Sequence, residues 1–458
     1  MDTFLAHENH PWPPSLASNG KMHSICKSDL IDCLESVVEF QNTVPNVDSK
    51  IIDGAALVHT LDPKKTISKE PIKTFKDYAD YVFIPTVRKM LEPVLRLDIV
   101  WDTYIANSLK EQTRQNRGSG APMKVEQNTR LPANWKDCLR SNRNKEALFN
   151  LLAVAIQECE FSSHKQVIST FGQNTLSSPI GYYVSELYCT HEEADTRLLF
   201  HAKHLYEKGF RTILIQATDT DVVVIAIAAS SVLQDCELWV AFGHGIKLRY
   251  IPCHLLSSGL GIDAAKGLLF FHALTGCDQC SGFYGIGKKT ALKILKSMPQ
   301  LHSLFAFLST TPNSISSDQF DQIQRFVVLL YQRTSELKFV NDLRKMLFCQ
   351  NRSIDNIPPT KNALEQHVKR SIYVAGFIWG QALNSNPFLP SPEVWGWKQN
   401  EHNTLVPCWS TLPEASRGCR ELIKCGCKTS CIKRWCSCLK ANLKCSHLCS
   451  CSGKCYRE

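Results

Sequence analysis

Four short apolar runs, Lys50-Ile51-Ile52, Leu97-Asp98-Ile99-Val100-Trp101, Thr212-Ile213-Leu214-Ile215 and Leu238-Trp239-Val240-Ala241-Phe242, are β-branched or aromatic and are separated by helix-length segments. That spacing predicts strands joined by helical crossovers, and so a mainly parallel sheet in an α/β body. Two of the runs lead straight onto an aspartate, Asp53 and Asp102, and a third reaches Asp219 through a short turn. Open α/β sheets bind ligands beyond the carboxyl ends of their strands, which makes these three acids candidate site residues. Glu193, Asp195, Asp221 and Asp278 stand in comparable places and complete a set of seven. Such a cluster cannot stay together in a folded protein without cations, because burial and mutual repulsion would protonate or scatter it. An all-oxygen donor set fits Mg²⁺, and Mn²⁺ as well. Singly, each acid is also what a cap or turn uses, and Thr218-Asp219-Thr220-Asp221 could simply open a helix whose dipole favours negative charge.

At 458 residues the chain exceeds the size at which single cores split, so a large body with smaller modules is expected. The sequence contains no long uninterrupted apolar run, and its first residues lack a basic start followed by an apolar stretch. Those features predict a soluble intracellular protein with neither membrane span nor secretory signal. Residues 1–25, rich in Pro, Ser, Asn and His, read as a flexible head, and residues 26–349 as the α/β body, all-helical after its sheet. Residues 350–418 read as a connector with one helix, marked by a capping-box pattern at Asn362 and Glu365 and a stripe of Leu364, Val368, Ala375 and Ala382. Its remainder is Pro- and Trp-rich, with Trp395, Trp397 and Trp409 expected to pack in part. Residues 419–458 read as a separate module. The insert between Asp102 and Glu193 contains KEQTRQNRGSGAPMK, which looks like a mobile helix and loop and, taken alone, like solvated surface.

The run LTGCDQCSGFYGIGKKTALKIL, Leu274 to Leu295, discriminates among these alternatives. Asp278 precedes a Gly285-Ile286-Gly287 turn that opens a basic helix with Lys288 and Lys289. Glycines allow a sharp turn and close approach to a phosphate, and amides at a helix start favour an anion. Over residues 45 to 300 the chain here resembles the flap-endonuclease (XPG-like) nucleases of the PIN-like fold. The early Asp matches Asp53 in IIDGAALVH, the V-F-D type motif matches Val100-Trp101-Asp102, and the E-A-E motif matches Glu193-Ala194-Asp195. The D-x-D pair matches Asp219 and Asp221, and the G-C-D-Y-C motif matches Gly276-Cys277-Asp278-Gln279-Cys280. The resemblance implies a PIN-like, mainly parallel sheet flanked by helices, with a helix-two-turn-helix. It also implies a metal-dependent, structure-selective DNA nuclease working by a two-metal mechanism. Asp53, Asp102, Glu193 and Asp195 would hold one Mg²⁺ or Mn²⁺ and Asp219, Asp221 and Asp278 a second, with K⁺ at the Gly285–Gly287 hairpin. Lys110, with Arg114 and Arg117, falls where the family's arch carries basic residues that clamp the scissile phosphate. The chain departs from the family at Asp195, which shortens the second acid of E-A-E, at His59, where a stacking Tyr is usual, and at the N-terminal segment, which lacks the glycine-led first residues.

Charge and cysteine both concentrate at the C-terminal end. From Arg417 to Glu458 there are ten Lys/Arg and two Asp/Glu, a formal +8 of the whole-chain +9. Nine of the 21 cysteines, Cys425, Cys427, Cys431, Cys436, Cys438, Cys445, Cys449, Cys451 and Cys455, lie in the same stretch. Close cysteine spacing in an intracellular chain indicates metal before disulfides. Zinc takes four thiolates, and nine cysteines satisfy three Zn²⁺ ions if three of them bridge. The spacing resembles the CXC module of tesmin/TSO1-like proteins, which implies DNA contact by Lys433, Arg434 and Trp435, the last standing where that family has a groove-entering Tyr. His447 and Cys419 fit surface or connector roles. DNA with branched or single-stranded segments, and possible chromatin tethering, imply a nuclear location; no membrane and no small organic cofactor are expected. Three alternatives stand beside this: a non-catalytic DNA- or chromatin-binding protein on an inactive nuclease scaffold, a tail that is a zinc staple only, and a tail that is a thiol reservoir.

Overall fold

The computed structural model describes residues 5–40, 42–66, 70–105, 108–110, 120–162, 164–181 and 185–415, and in the tail 425–427, 431, 436–440, 443–445 and 449–451. Its centre is a seven-stranded sheet. The strands are β1 Ser49–Asp53, β2 Arg96–Val100, β3 Gln166–Phe171, β4 Asn174–Ser178, β5 Thr212–Ala217, β6 Glu237–Phe242 and β7 Arg249–Pro252, in the order β4-β3-β2-β1-β5-β6-β7. The five inner strands run parallel and the two outer ones, β4 and β7, antiparallel. Strand order therefore reverses between β1 and β5, and a crevice opens beyond the carboxyl ends of those neighbours.

The helices that matter for the site are α1 Gly54–Thr60, α2 Asn142–Glu158, α3 Ala194–Glu207, α4 Thr220–Ser230, α5 Ile262–Leu274, α6 Lys288–Lys296 and α7 Lys361–Ile372. Period-two alternation along the strands divides their side chains between two cores. Ile51 and Val100 join α3, α4 and α5 on one face, while Ile52, Leu97, Ile99 and Trp101 join α1 and α2 on the other. Among the described residues no helix is long and apolar enough to cross a membrane.

Two expected boundaries are corrected. The supposed flexible head is docked: Leu16 and Ala17 are buried in the main core, Ser15 O accepts from Tyr284 N at 2.8 Å, and Glu8 accepts from Thr360 N at 2.7 Å. The supposed connector belongs to the body as well, since Leu364, Val368, Phe377, Trp379, Trp395 and Trp409 are continuous with that core. Its helix is capped by Thr360, whose side chain accepts from Ala363 N, and Asn362 instead ties down Ser410 and Thr411. The eight described tail cysteines pack chiefly on one another.

One buried charge cluster fastens β2 to α3. Arg96 donates two 2.7 Å hydrogen bonds to Asp98, which also bonds His201 Nδ1 at 2.7 Å, and Arg96 reaches His204 at 3.0 Å. Burial alone would raise the Asp98 carboxyl, but the Arg96 charge and the bonds from His201 and Arg96 outweigh it and hold the group well below its ordinary range. This stabilisation is fully present above the unfolded-chain value of about 3.9 and is lost as pH falls toward the depressed folded value. Arg96→Met, which strands the carboxylate, is expected to remove about 3–5 kcal/mol of unfolding free energy at neutral pH, measured by urea denaturation.

Candidate metal centre

The crevice at the switch point gathers acids because strand ends and helix starts meet there. Asp53 ends β1 and caps α1, its Oδ1 accepting from Ala56 N at 3.1 Å. Gly54 follows for a steric reason: a Cβ would lie 2.2 Å from the Trp101 ring. That ring cannot yield, being stacked on Phe149 at 4.4 Å and donating to Ser169 Oγ at 2.9 Å. Asp102, just past β2, accepts from Ala194 N at 2.9 Å. Glu193 is the N-cap residue of α3, with Asp195 in its first turn, and Asp219 caps α4 by accepting from Asp221 N at 3.0 Å. Asp278 lies in the loop after α5, where Gly276 turns the chain at φ +113°.

Two lysine ammonium groups sit among these carboxylates. Lys27 Nζ lies 2.7 Å from Asp219, 3.1 Å from Asp221 and 3.0 Å from Asp278, and Lys110 Nζ lies 3.2 Å from Glu193 and 3.3 Å from Asp195. Oxygens of Asp219, Asp221 and Asp278 all lie within 4.8 Å of one another, close enough to share one ion. The remaining acids share the same field. Burial, then the neighbouring Asp102 charge, pushes Asp53 up to about 6. Burial likewise raises Asp195 well above its ordinary value, against the pull of Lys110 and with Asp219, Glu193 and Asp102 adding to it. Asp221 is raised by burial, with Lys27 opposing and Asp278 reinforcing. Three of the seven predicted acids thus converge at one point, and Asp53, Asp102, Glu193 and Asp195 are coupled to one another and to Asp219 through their charges.

Residues behind the cleft orient it. His272 Nε2 meets Asp221 Oδ1 at 2.9 Å, and burial holds that imidazole well below its ordinary pKa, so it serves as a neutral donor. Gln279 Nε2 donates to Glu193 Oε1 at 2.7 Å. Lys27, His272 and Gln279 were not read from the sequence. Gln279 has a signal in standing next to Asp278, whereas Lys27 and His272 have none. Cavities border both sides: one of about 860 Å³ touches Asp219, Asp278, Lys247 and Arg249, and one of about 640 Å³ touches Glu193, Leu109 and Tyr373.

The predicted phosphate-gripping set is placed unevenly. Gly285 turns at φ +69° and Gly287 starts α6. Lys289 is half exposed and 3.4 Å from Asp32. Lys288 departs from its expected role: its ammonium is fully buried, donating to His272 O at 2.6 Å, Thr275 Oγ1 at 2.9 Å and Gly276 O at 2.6 Å. It ties the hairpin to the Asp278 loop and offers no charge to solvent. Arg114, Arg117, Lys433, Arg434, Trp435 and Cys455 lie outside the described residues.

In the tail, Cys425, Cys431, Cys436 and Cys445 form one group of sulfurs able to hold an ion, and Cys425, Cys445, Cys449 and Cys451 form another. The sulfur–sulfur separations are 3.7 Å for Cys425–Cys431, 3.8 Å for Cys425–Cys445, 3.9 Å for Cys425–Cys451 and 3.5 Å for Cys438–Cys449. A tetrahedron with Zn–S bonds of about 2.3 Å has edges of about 3.8 Å. The sulfurs therefore have the spacing of zinc ligands, and Cys425 and Cys445 belong to both groups.

No family model matches the chain, and no curated protein matches it. Among solved structures it is similar to the catalytic core of Rad2 in complex with DNA substrate, at a TM-score of 0.35 and 14% identity over 71% of this chain and 80% of that one. A second complex of that core gives a TM-score of 0.34 and 12% identity over 72% and 81%. The T5 D15 protein co-crystallised with metal ions gives 0.32 and 14% over 73% and 96%. The class rests on the molecule's own topology: a mainly parallel α/β sheet covered by helices on both faces, an acid-lined cleft at its switch point, and a cysteine-lined module following in sequence.

The shared sulfurs make a stoichiometric prediction. Cys425→Ser should cost the full-length protein more zinc than Cys431→Ser, which belongs to one group; elemental analysis giving equal losses would separate the sites.

Proposed function

We propose that this chain is a divalent-metal-dependent, structure-selective DNA nuclease that hydrolyses phosphodiesters in the cleft beyond β1, β2 and β5. Its cysteine module would hold three zinc ions and tether it to DNA or chromatin in the nucleus. The placement of five of the seven carboxylates around two ammonium groups carries this reading. The donor chemistry fits the absent metal: the ligands are oxygens only, and each set already accommodates positive charge in the form of a lysine. Asp53, Asp102, Glu193 and Asp195 would hold one ion, and Asp219, Asp221 and Asp278 the other. Bound Mg²⁺ or Mn²⁺ supplies an activated water at neutral pH and charge stabilisation for a leaving oxygen.

The chain's own residues do the rest. His272 fixes the rotamer of Asp221 and Gln279 that of Glu193, so the oxygens face the cleft before an ion arrives. Lys110 sits at the mouth of the first set, where its charge can pass from the carboxylates to an incoming phosphate. The cavity beside Asp219 and Asp278, bordered by His244, Lys247 and Arg249, offers a nucleotide a wall with positive charge. The amides at the start of α6, with Lys289, would grip the duplex backbone farther along. The tail, formally +8, retains a net positive charge of about +5 with nine thiolates and three Zn²⁺, which favours phosphate and raises the local concentration of substrate.

Asp219→Asn and Asp278→Asn should each lower Mg²⁺-dependent cleavage of labelled branched DNA by at least about 100-fold while DNA binding persists, and His272→Ala by about 10–100-fold. Unchanged cleavage in both Asn variants would remove the assignment, and binding without cleavage by the wild type would favour the inactive-scaffold alternative. Deleting residues 419–458 should weaken DNA association and flatten its dependence on salt, measured by fluorescence anisotropy. A truncated protein indistinguishable from the full chain reduces the tail to a staple.

A further inference from the structure

The Asp219, Asp221 and Asp278 set is unusual in what already fills it. Lys27 comes from the docked N-terminal segment, 192 residues away in sequence from Asp219, and places one ammonium nitrogen within 2.7 to 3.1 Å of a carboxylate oxygen from all three acids. An ammonium carries three N–H donors, so donors and carboxylates match in number. Lys110 stands farther from its partners, at 3.2 and 3.3 Å.

The backbone on either side of Lys27 is pinned. Ahead of it, His23 O accepts from Gly282 N at 2.9 Å, and Ile25 lies so close to Gly282 that a Cβ there would be 2.0 Å from Ile25 Cδ1. Behind it, the Asp29–Leu34 helix is held by Arg249, which pairs with Asp32 at 3.1 Å and with Glu35 at 2.7 Å. The side chain itself is largely buried, at 18% exposure. Withdrawing the ammonium therefore means moving it against three ion pairs from a fixed base.

Building on the proposed metal-dependent cleft, we propose that Lys27 is an intrinsic cation that competes with divalent metal for the Asp219–Asp221–Asp278 set. The first set then loads an ion readily, and the second loads weakly because its ion must displace an ammonium. The device also keeps the metal-free cleft from repelling itself apart.

The test is Mn²⁺ binding to the full-length, zinc-loaded protein, followed by electron paramagnetic resonance of free Mn²⁺, with no substrate present. Lys27→Met should bind one Mn²⁺ more than the wild type in the same concentration range, or bind its last ion at least about tenfold more tightly. Lys27→Arg, which keeps the charge, should behave as wild type, and Lys27→Gln repeats the count should the Met variant fail to fold. In EDTA the Met variant should melt several degrees below wild type and recover with Mn²⁺ by more than wild type does. An unchanged Mn²⁺ isotherm in both neutral variants overturns the proposal. Ion binding by wild type with no gain in the variants sinks this inference alone, whereas no Mn²⁺ binding by any form sinks the metal-dependent reading with it.

Discussion

Carboxylates crowded into one cleft repel one another, and everything that positions this site depends on offsetting that repulsion. Two such charges 4 Å apart at a protein surface cost about 4 kcal/mol, enough for a few pairs to rival the stability of a domain. The molecule answers with charge of opposite sign from several directions. Lys27 enters from the N-terminal segment and Lys110 from the loop after β2. Three helices, α1, α3 and α4, begin at Asp53, Glu193 and Asp219, so their positive dipole ends point into the same space. The cap role of these acids and the metal role proposed for them would be one arrangement, since the strand-to-helix junctions of a parallel sheet place the carboxylates for both.

Once the charges are held, the loops that carry them must be stiff, and the structure stiffens each from behind. Trp101 closes against Gly54 and fixes where Asp53 points. His272 stands between Asp221 and Trp379, whose ring centroid is 5.7 Å away. Lys288 spans from α6 to the carbonyls at the end of α5, satisfying acceptors that the helix leaves open while setting the path of the Asp278 loop. These supports reach the site from segments far apart in sequence. Residues 5–25 and 361–409 are consequently structural parts of the cleft, even though neither carries one of the seven acids.

What the sequence made legible follows from where local pattern and tertiary demand coincide. Strands β1, β2, β5 and β6 could be found because burial makes them largely apolar runs, and the first three lead to Asp53, Asp102 and Asp219. Strands β3, β4 and β7 were missed: Ser, Thr, Asn or Gln fill half of β3 and most of β4, and β4 and β7 pair on one side only, so little apolar periodicity marks them. The head lacks period yet buries Leu16 and Ala17, and the connector, where one helix and partial packing of its tryptophans were expected, is continuous with the core through Trp379, Trp395 and Trp409. Lys27 had no local signal, because its meaning comes from partners brought near by folding. Lys288 did have one: it lies on the stripe with Ala291, Leu292 and Leu295 at helical spacing, the buried face of α6, while Lys289 lies off it.

The two parts of the chain build their candidate ligand clusters in opposite ways. In the body, hydrophobic cores on both faces of the sheet carry the fold, and lysines offset the charge of the clustered acids. Among the described residues of the tail the buried side chains are the cysteines themselves, and sulfurs 3.5 to 3.9 Å apart would by themselves offer only weak thiol contacts. A metal ion held by those sulfurs would supply a core that the other described side chains of the segment do not. The molecule thus divides into a part whose clustered oxygens stand on a separately built apolar core and a part whose buried side chains, among the described residues, are the clustered sulfurs themselves. That division explains why the acids are spread over the whole α/β body while the cysteines are confined to one short stretch: a cleft can be assembled by a fold that already exists, but a fold made by its ligands needs them close together in sequence.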